Sequence, residues 1–198
     1  VVTDVAGCEA QKTFKIKPVK PAVQPICLVT VDSNTTTNLL VWEKGATSGI
    51  ARYNIYRETG AVNNYPLVAT MNATEFSAWN DVNASPMVTS WKYRMTQVDV
   101  CGVESEFSTP HKTMHVAINK GLGTTYNIFW DKYEGLDYTS VTLFRYDETN
   151  GTVVLATLPS TQKSYTDDPG TDITNLDYFV GFDVENSCTA DRAQDYNG

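Results

Sequence analysis

The sequence predicts an all-β chain folded as two β-sandwiches in series. Three observations lead there. Residue usage favours strands: Tyr (11), Thr and Val are abundant, whereas the helix formers Lys, Glu and Ala are thin. Short apolar blocks alternate with turn formers along the whole chain. One order of landmarks also runs twice through the 198 residues, a length that accommodates two small β modules.

In the first pass, NLLVW (38–42) leads to YNIYR (53–57), LVATM (67–71), SAWND (77–81) and WKYRMTQVDV (91–100). In the second, YNIFW (126–130) leads to VTLFR (141–145), VLATL (154–158), SYTDD (164–168) and LDYFVGFDV (176–184). The offset is 88 from Trp42 to Trp130 and from Arg57 to Arg145, 86 from Asp81 to Asp167, and 85 from Tyr93 to Tyr178. It drifts by small deletions and never jumps, which is the mark of a duplication. Each block has strand length and a period of two: Tyr53, Ile55 and Arg57 face one way, Asn54 and Tyr56 the other. Between the blocks lie KGATSG, NATE, DVNASP, DETNG and DDPGTD, all turn chemistry. Short strands 8–12 residues apart with no helical stretch between them spell a sandwich. One Trp per repeat, Trp42 or Trp130, is placed to fill the space between sheets, and Tyr93 or Tyr178 to tie a corner through its hydroxyl.

Composition excludes several classes. With 15 Lys+Arg against 23 Asp+Glu the net charge is −8, leaving no basic stripe for nucleic-acid phosphates. At 41% hydrophobic and 19% charged the chain is too apolar for disorder, and it lacks a continuous apolar run that would span a membrane. It begins at Val1 without a methionine or a leader, so it is expected to be a piece of a longer protein.

The pattern W…YxIYR…YRMTQVD…CGxES of residues 21–117 resembles a fibronectin type III module, which implies tandem immunoglobulin-like (fibronectin type III) β-sandwiches. More closely, PICLVTVDSNTTTNLLVWEK with SGIARYNIYRE, WKYRMTQVDVCGVES, HKTMHV and WDKYEG resembles a tandem pair recurrent in secreted proteins of Bacteroidota. In that context the pair follows a PKD-type domain and precedes a type IX secretion sorting domain, and VTDVAGCEAQKTFKI (2–16) resembles the last hairpin of such a PKD-type domain. The resemblance therefore implies residues 1–20 as a hairpin tail, 21–117 as the first module and 118–198 as the second, on an extracellular or cell-surface protein.

Four cysteines, with no CxxC pair and only two histidines, speak for disulfides in an oxidising compartment and against zinc. In the fibronectin-type topology the start of the first strand and the end of the sixth share a pole, so Cys27 and Cys101 are expected to pair. That bridge closes a 74-residue loop and contributes about 4 kcal/mol in the chain-entropy model; two buried free thiols are the alternative. Cys8 is expected to find its partner upstream of Val1, and Cys188 to be free. His111 and His115, four apart, would share a strand face and could hold a metal, but no further ligands of matching spacing accompany them, so polar residues between the modules are the plainer reading. Asp167 and Asp168, or Asp131, Glu134 and Asp137, could hold calcium but lack the D-x-D-x-D-G spacing; turn chemistry accounts for the first pair, and no cofactor is otherwise expected. Four N-x-S/T sequons (Asn34, Asn72, Asn83, Asn150) are of the kind an Asn- and Thr-rich chain produces by chance. No nucleophile elbow, Cys–His pair or phosphate loop occurs.

The expectation is a non-catalytic stalk or spacer and interaction segment, its partners the secretion machinery, other surface proteins or a glycan. Two alternatives stand beside it. One is an adhesin whose loops 43–50 or 131–140 bind a ligand, with Tyr133 and Tyr138 as exposed stacking platforms. The other is the accessory region of a secreted hydrolase.

Overall fold

The computed structural model describes residues 2–3, 5–7, 9–10, 13, 19–32, 34–45, 49–170, 175–184, 188 and 190. Cys8 and the middle of loop 43–50 lie outside them. The described residues form strands and no helix, so none of them forms a helix that could cross a membrane. At the start, β1 (Val2–Thr3) and β2 (Glu9–Ala10) pair antiparallel, Val2 opposite Ala10.

The first sandwich is built from β3 (Ile26–Asp32), β4 (Thr37–Trp42), β5 (Ile50–Arg57), β6 (Leu67–Asn72), β7 (Ala78–Asp81), β8 (Lys92–Asp99) and β9 (His111–Lys112). One sheet has the order β3-β4-β7 and the other β6-β5-β8-β9, every pairing antiparallel. Ile26, Val29, Leu40 and Trp42 from the first sheet meet Tyr53, Ile55, Tyr93 and Met95 from the second in one core. Trp42 lies at its centre, its ring 5.6 Å from that of Tyr53. Ahead of β9 the chain already runs along β8. Ser105 and Ser108 each donate a backbone N–H to β8 and accept one back through their hydroxyls, from Gln97 and Met95. A serine hydroxyl thus stands in for a ladder carbonyl at two points, leaving no buried amide unpaired.

The second sandwich repeats the plan with β10 (Val116–Lys120), β11 (Tyr126–Trp130), β12 (Ser140–Asp147), β13 (Gly151–Pro159), β14 (Ser164–Asp167) and β15 (Asp177–Gly181). Its sheets are β10-β11-β14 and β13-β12-β15, enclosing Ile128, Trp130, Val141, Leu143 and Tyr178. Met114 and Val116 pack on this second core, so the passage between the cores is only the few residues around Thr113. The chain is all-β: two tandem immunoglobulin-like sandwiches in the fibronectin type III strand order, first, second and fifth strands in one sheet and fourth, third and sixth in the other.

The cysteine pairing differs from the expectation. The disulfide joins Cys27 to Cys188, with Cα atoms 6.1 Å apart, and Cys101 is a free, exposed thiol. Sharing a pole was not enough, because Cys27 is buried on its strand whereas Cys101 lies past the end of β8, exposed on a turn. Cys101 sits at the tip of the turn Asp99–Val103, where Asp99 accepts its amide, while Cys27 sits at a register shift on the sheet's edge strand, on the side that meets the second sandwich.

Candidate functional site at the joint between the sandwiches

Each sandwich is closed by the same three side chains. In the first, Arg57 Nη1 donates to Asp81 Oδ2 at 2.6 Å and the Tyr93 hydroxyl to the same oxygen at 3.1 Å. In the second, Arg145 Nη1 and the Tyr178 hydroxyl donate to Asp167 Oδ2 at 2.9 and 2.8 Å. Burial, reinforced by the carboxylate, pushes both tyrosine pKa values up, so the hydroxyls stay donors. Trp42, Trp130, Tyr93 and Tyr178 are all buried. The Arg, Asp and Tyr of each triad are bound to one another and hold the fold.

Three of the five acids considered as calcium ligands are otherwise engaged. Asp167 belongs to the triad, Asp168 accepts from the Thr124 hydroxyl and the Gly170 amide, and Glu134 pairs with Lys92 at 2.6 Å. Among the described residues no three His, Cys, Asp or Glu side chains gather as a metal site requires. The histidines do not share a strand: His111 is in β9 and His115 precedes β10, its Nε2 within 3.2 Å of the Met87 carbonyl.

The loop after β11 departs most from expectation. Tyr133, expected on the surface, is 2% exposed, and Tyr138 is half-buried. The reason is that the loop is a wedge driven into the first sandwich. Tyr138 stacks on Phe182 at 4.3 Å between ring centroids and accepts the Tyr133 amide, and Tyr133 packs edge-on against Phe182 at 5.0 Å. The wedge is thereby fixed to its own module. Its tip crosses to the other one: the Val29 amide of edge strand β3 donates to the Tyr133 hydroxyl at 2.8 Å, and His111 Nδ1 lies 2.9 Å from the same oxygen. Lys112 and Glu134 exchange backbone hydrogen bonds beside it.

The Tyr133 oxygen accepts the amide of Val29, and its own hydrogen finds an acceptor in Nδ1 when His111 is a neutral imidazole protonated at Nε2, the tautomer we assign. Burial alone pushes His111 from the ordinary 6.5 down to about 4, and pushes the Tyr133 phenol up. Gly135 lies against the imidazole with φ of +110°, and a Cβ there would meet ring atoms at 2.5 Å. Both the backbone angle and the contact demand glycine. Gly135→Ala is therefore expected to cost about 1–3 kcal/mol through the joint, read as a lower denaturant midpoint, with an unchanged midpoint counting against this packing.

Sequence reasoning missed the wedge, though the repeat carried a signal. At the offset of 88, DKYEGLDY (131–138) aligns with EKGATSGI (43–50), so Tyr133 and Tyr138 replace Gly45 and Ile50. Two aromatics gained by one copy of a duplicated loop mark a contact that only that copy makes.

Fold and joint together define a tandem pair of sandwiches with a fibronectin type III-like fold and a pinned contact between them. No protein-family profile matches the chain, and no curated protein sequence does. Among solved structures it is similar to an Fn3-like protein from Clostridium thermocellum, at 22% identity over 52% of this chain and 98% of that one, with a TM-score of 0.38. It is also similar to the FN1–FN3 domains of chicken CNTN1, at 10% identity over 91% and 69% of the two chains with a TM-score of 0.38. A third is the chicken interferon gamma receptor alpha chain, at 10% identity over 81% and 90% with a TM-score of 0.34.

Proposed function

We propose that this chain is a non-catalytic extracellular interaction module of a longer secreted or surface protein, set to one side of the chain that carries it. The observation that carries this reading is the Cys27–Cys188 bridge: the polypeptide enters and leaves the two-sandwich unit at points 6.1 Å apart. A spacer adds length only when entry and exit lie at opposite ends. The bridge therefore favours the interaction half of the expected role over the stalk half, and it fits an oxidising exterior. The surface-protein or glycan partner, the PKD-type neighbour and passage through a type IX secretion route belong to the same proposal and are supported by the sequence resemblance alone.

Two experiments test it. Peptide mapping without reductant should recover Cys27 linked to Cys188 and Cys101 alkylatable; a Cys27–Cys101 peptide would remove the geometric basis. Screening the purified chain on glycoside, ester and peptide substrates should give no turnover. Activity that survives repurification and vanishes on mutating one acid would establish the hydrolase alternative instead.

A further inference from the structure

We propose that the joint between the two sandwiches is an acid-sensitive latch: protonation of His111 releases the Tyr133 wedge from the first sandwich while both sandwiches stay folded. The inference rests on the same pinned joint as the proposed function and adds a condition under which it opens.

The argument starts from the hydrogen-bond count. In the closed joint Tyr133 takes the Val29 N–H and gives its own hydrogen to Nδ1, so the phenol and both groups facing it are satisfied. An imidazolium carries a hydrogen on Nδ1. Two N–H groups then donate to the phenolic oxygen, and its hydroxyl hydrogen loses Nδ1 as acceptor. The cation would also be buried, since His111 is 3% exposed.

The charged neighbours offer it no relief. On β8, the register partners of β9 are Lys92 and Tyr93; Lys92 is cationic, and the Tyr93 hydroxyl is committed to Asp81. On β9 itself the next residue is Lys112, another cation. From the wedge come Tyr133, Glu134 and Gly135, and Glu134 is already paired with Lys92. From β3 comes the Val29 amide, and the charged residue of that strand, Asp32, is held by Thr35 and Asn80. Lifting the wedge solves the problem, because it returns the imidazole to water while both hydrophobic clusters, neither of which includes Tyr133, stay assembled.

The sign follows from linkage. A base with a lower pKa when closed than when open stabilises the closed form fully above pH 6.5, and that stabilisation drains away as pH falls towards about 4. Between pH 7 and pH 5 the opening equilibrium should rise about 20-fold.

The Val29 amide reports opening directly, since Tyr133 is its acceptor. In the oxidised full chain, its hydrogen-exchange protection factor should fall about 20-fold from pH 7 to pH 5, while those of Ile55 in β5 and Leu143 in β12 hold. In His111→Gln, whose amide oxygen can accept from Tyr133 but does not titrate, protection at Val29 should be the same at both pH values. If that variant fails to fold, the imidazole resonances of the parent settle the matter: they must change over the same pH interval as Val29 exchange. Protection at Val29 that is constant with pH, that falls equally in the Gln variant, or that falls together with the core amides overturns the latch. Absence of protection at pH 7 would instead overturn the pinned joint itself.

Discussion

Cutting the Cys27–Cys188 bridge should lower the stability of the chain by up to about 5 kcal/mol. The bridge spans 161 residues, and the entropy it removes from the unfolded ensemble grows with the logarithm of that loop. It also holds the exit of the second sandwich beside the edge strand of the first, where the wedge docks. Replacing both Cys27 and Cys188 by Ser should therefore shift the denaturant midpoint strongly, whereas Cys101→Ser, at an exposed turn, should stay within about 0.5 kcal/mol of the parent. Coincident midpoints for the parent and the double variant would mean that the bridge contributes nothing.

Asp81→Ala should be nearly as damaging, at about 3–5 kcal/mol, because it leaves the partly exposed Arg57 guanidinium and the buried Tyr93 hydroxyl without their shared acceptor. Asp81 itself is 1% exposed, so the gap opens inside the sandwich. Asp167→Ala removes the equivalent oxygen from the second sandwich, but Arg145 keeps Asp147 within 3.4 Å, so the loss there should be the smaller of the two. Equilibrium unfolding of both variants measures the difference, and a loss below about 1 kcal/mol at Asp81 would show that the triad is decorative.

The triads also show what was legible in the sequence. Arg57, Asp81 and Tyr93 stand in one order and recur 88, 86 and 85 positions later, and such pairs of landmarks define strands because period-two patterning and turn residues are local. Trp42 and Trp130 stood out for the same reason. The joint was less legible because its contacts run between modules: Val29 meets Tyr133 across 104 residues, with no periodicity to announce it. The expected Cys27–Cys101 pair failed on a related point, since a shared pole does not tell that one cysteine is buried on a strand and the other exposed on a turn beyond it. His111 read as an ordinary polar residue, and only the approach of Tyr133 and Gly135 from the other sandwich gives it a role.

One consequence of the bridge concerns tension. A pull applied through the chain on either side of Cys27 and Cys188 passes across the sulfur–sulfur bond, and the 161 residues between them feel none of it. Both sandwiches would stay folded at forces that unravel an unbridged tandem pair. Reduction would put them in the line of the pull and release about 550 Å of extended chain. The same covalent link would thus carry the load in an oxidising medium and hand it to both sandwiches in a reducing one.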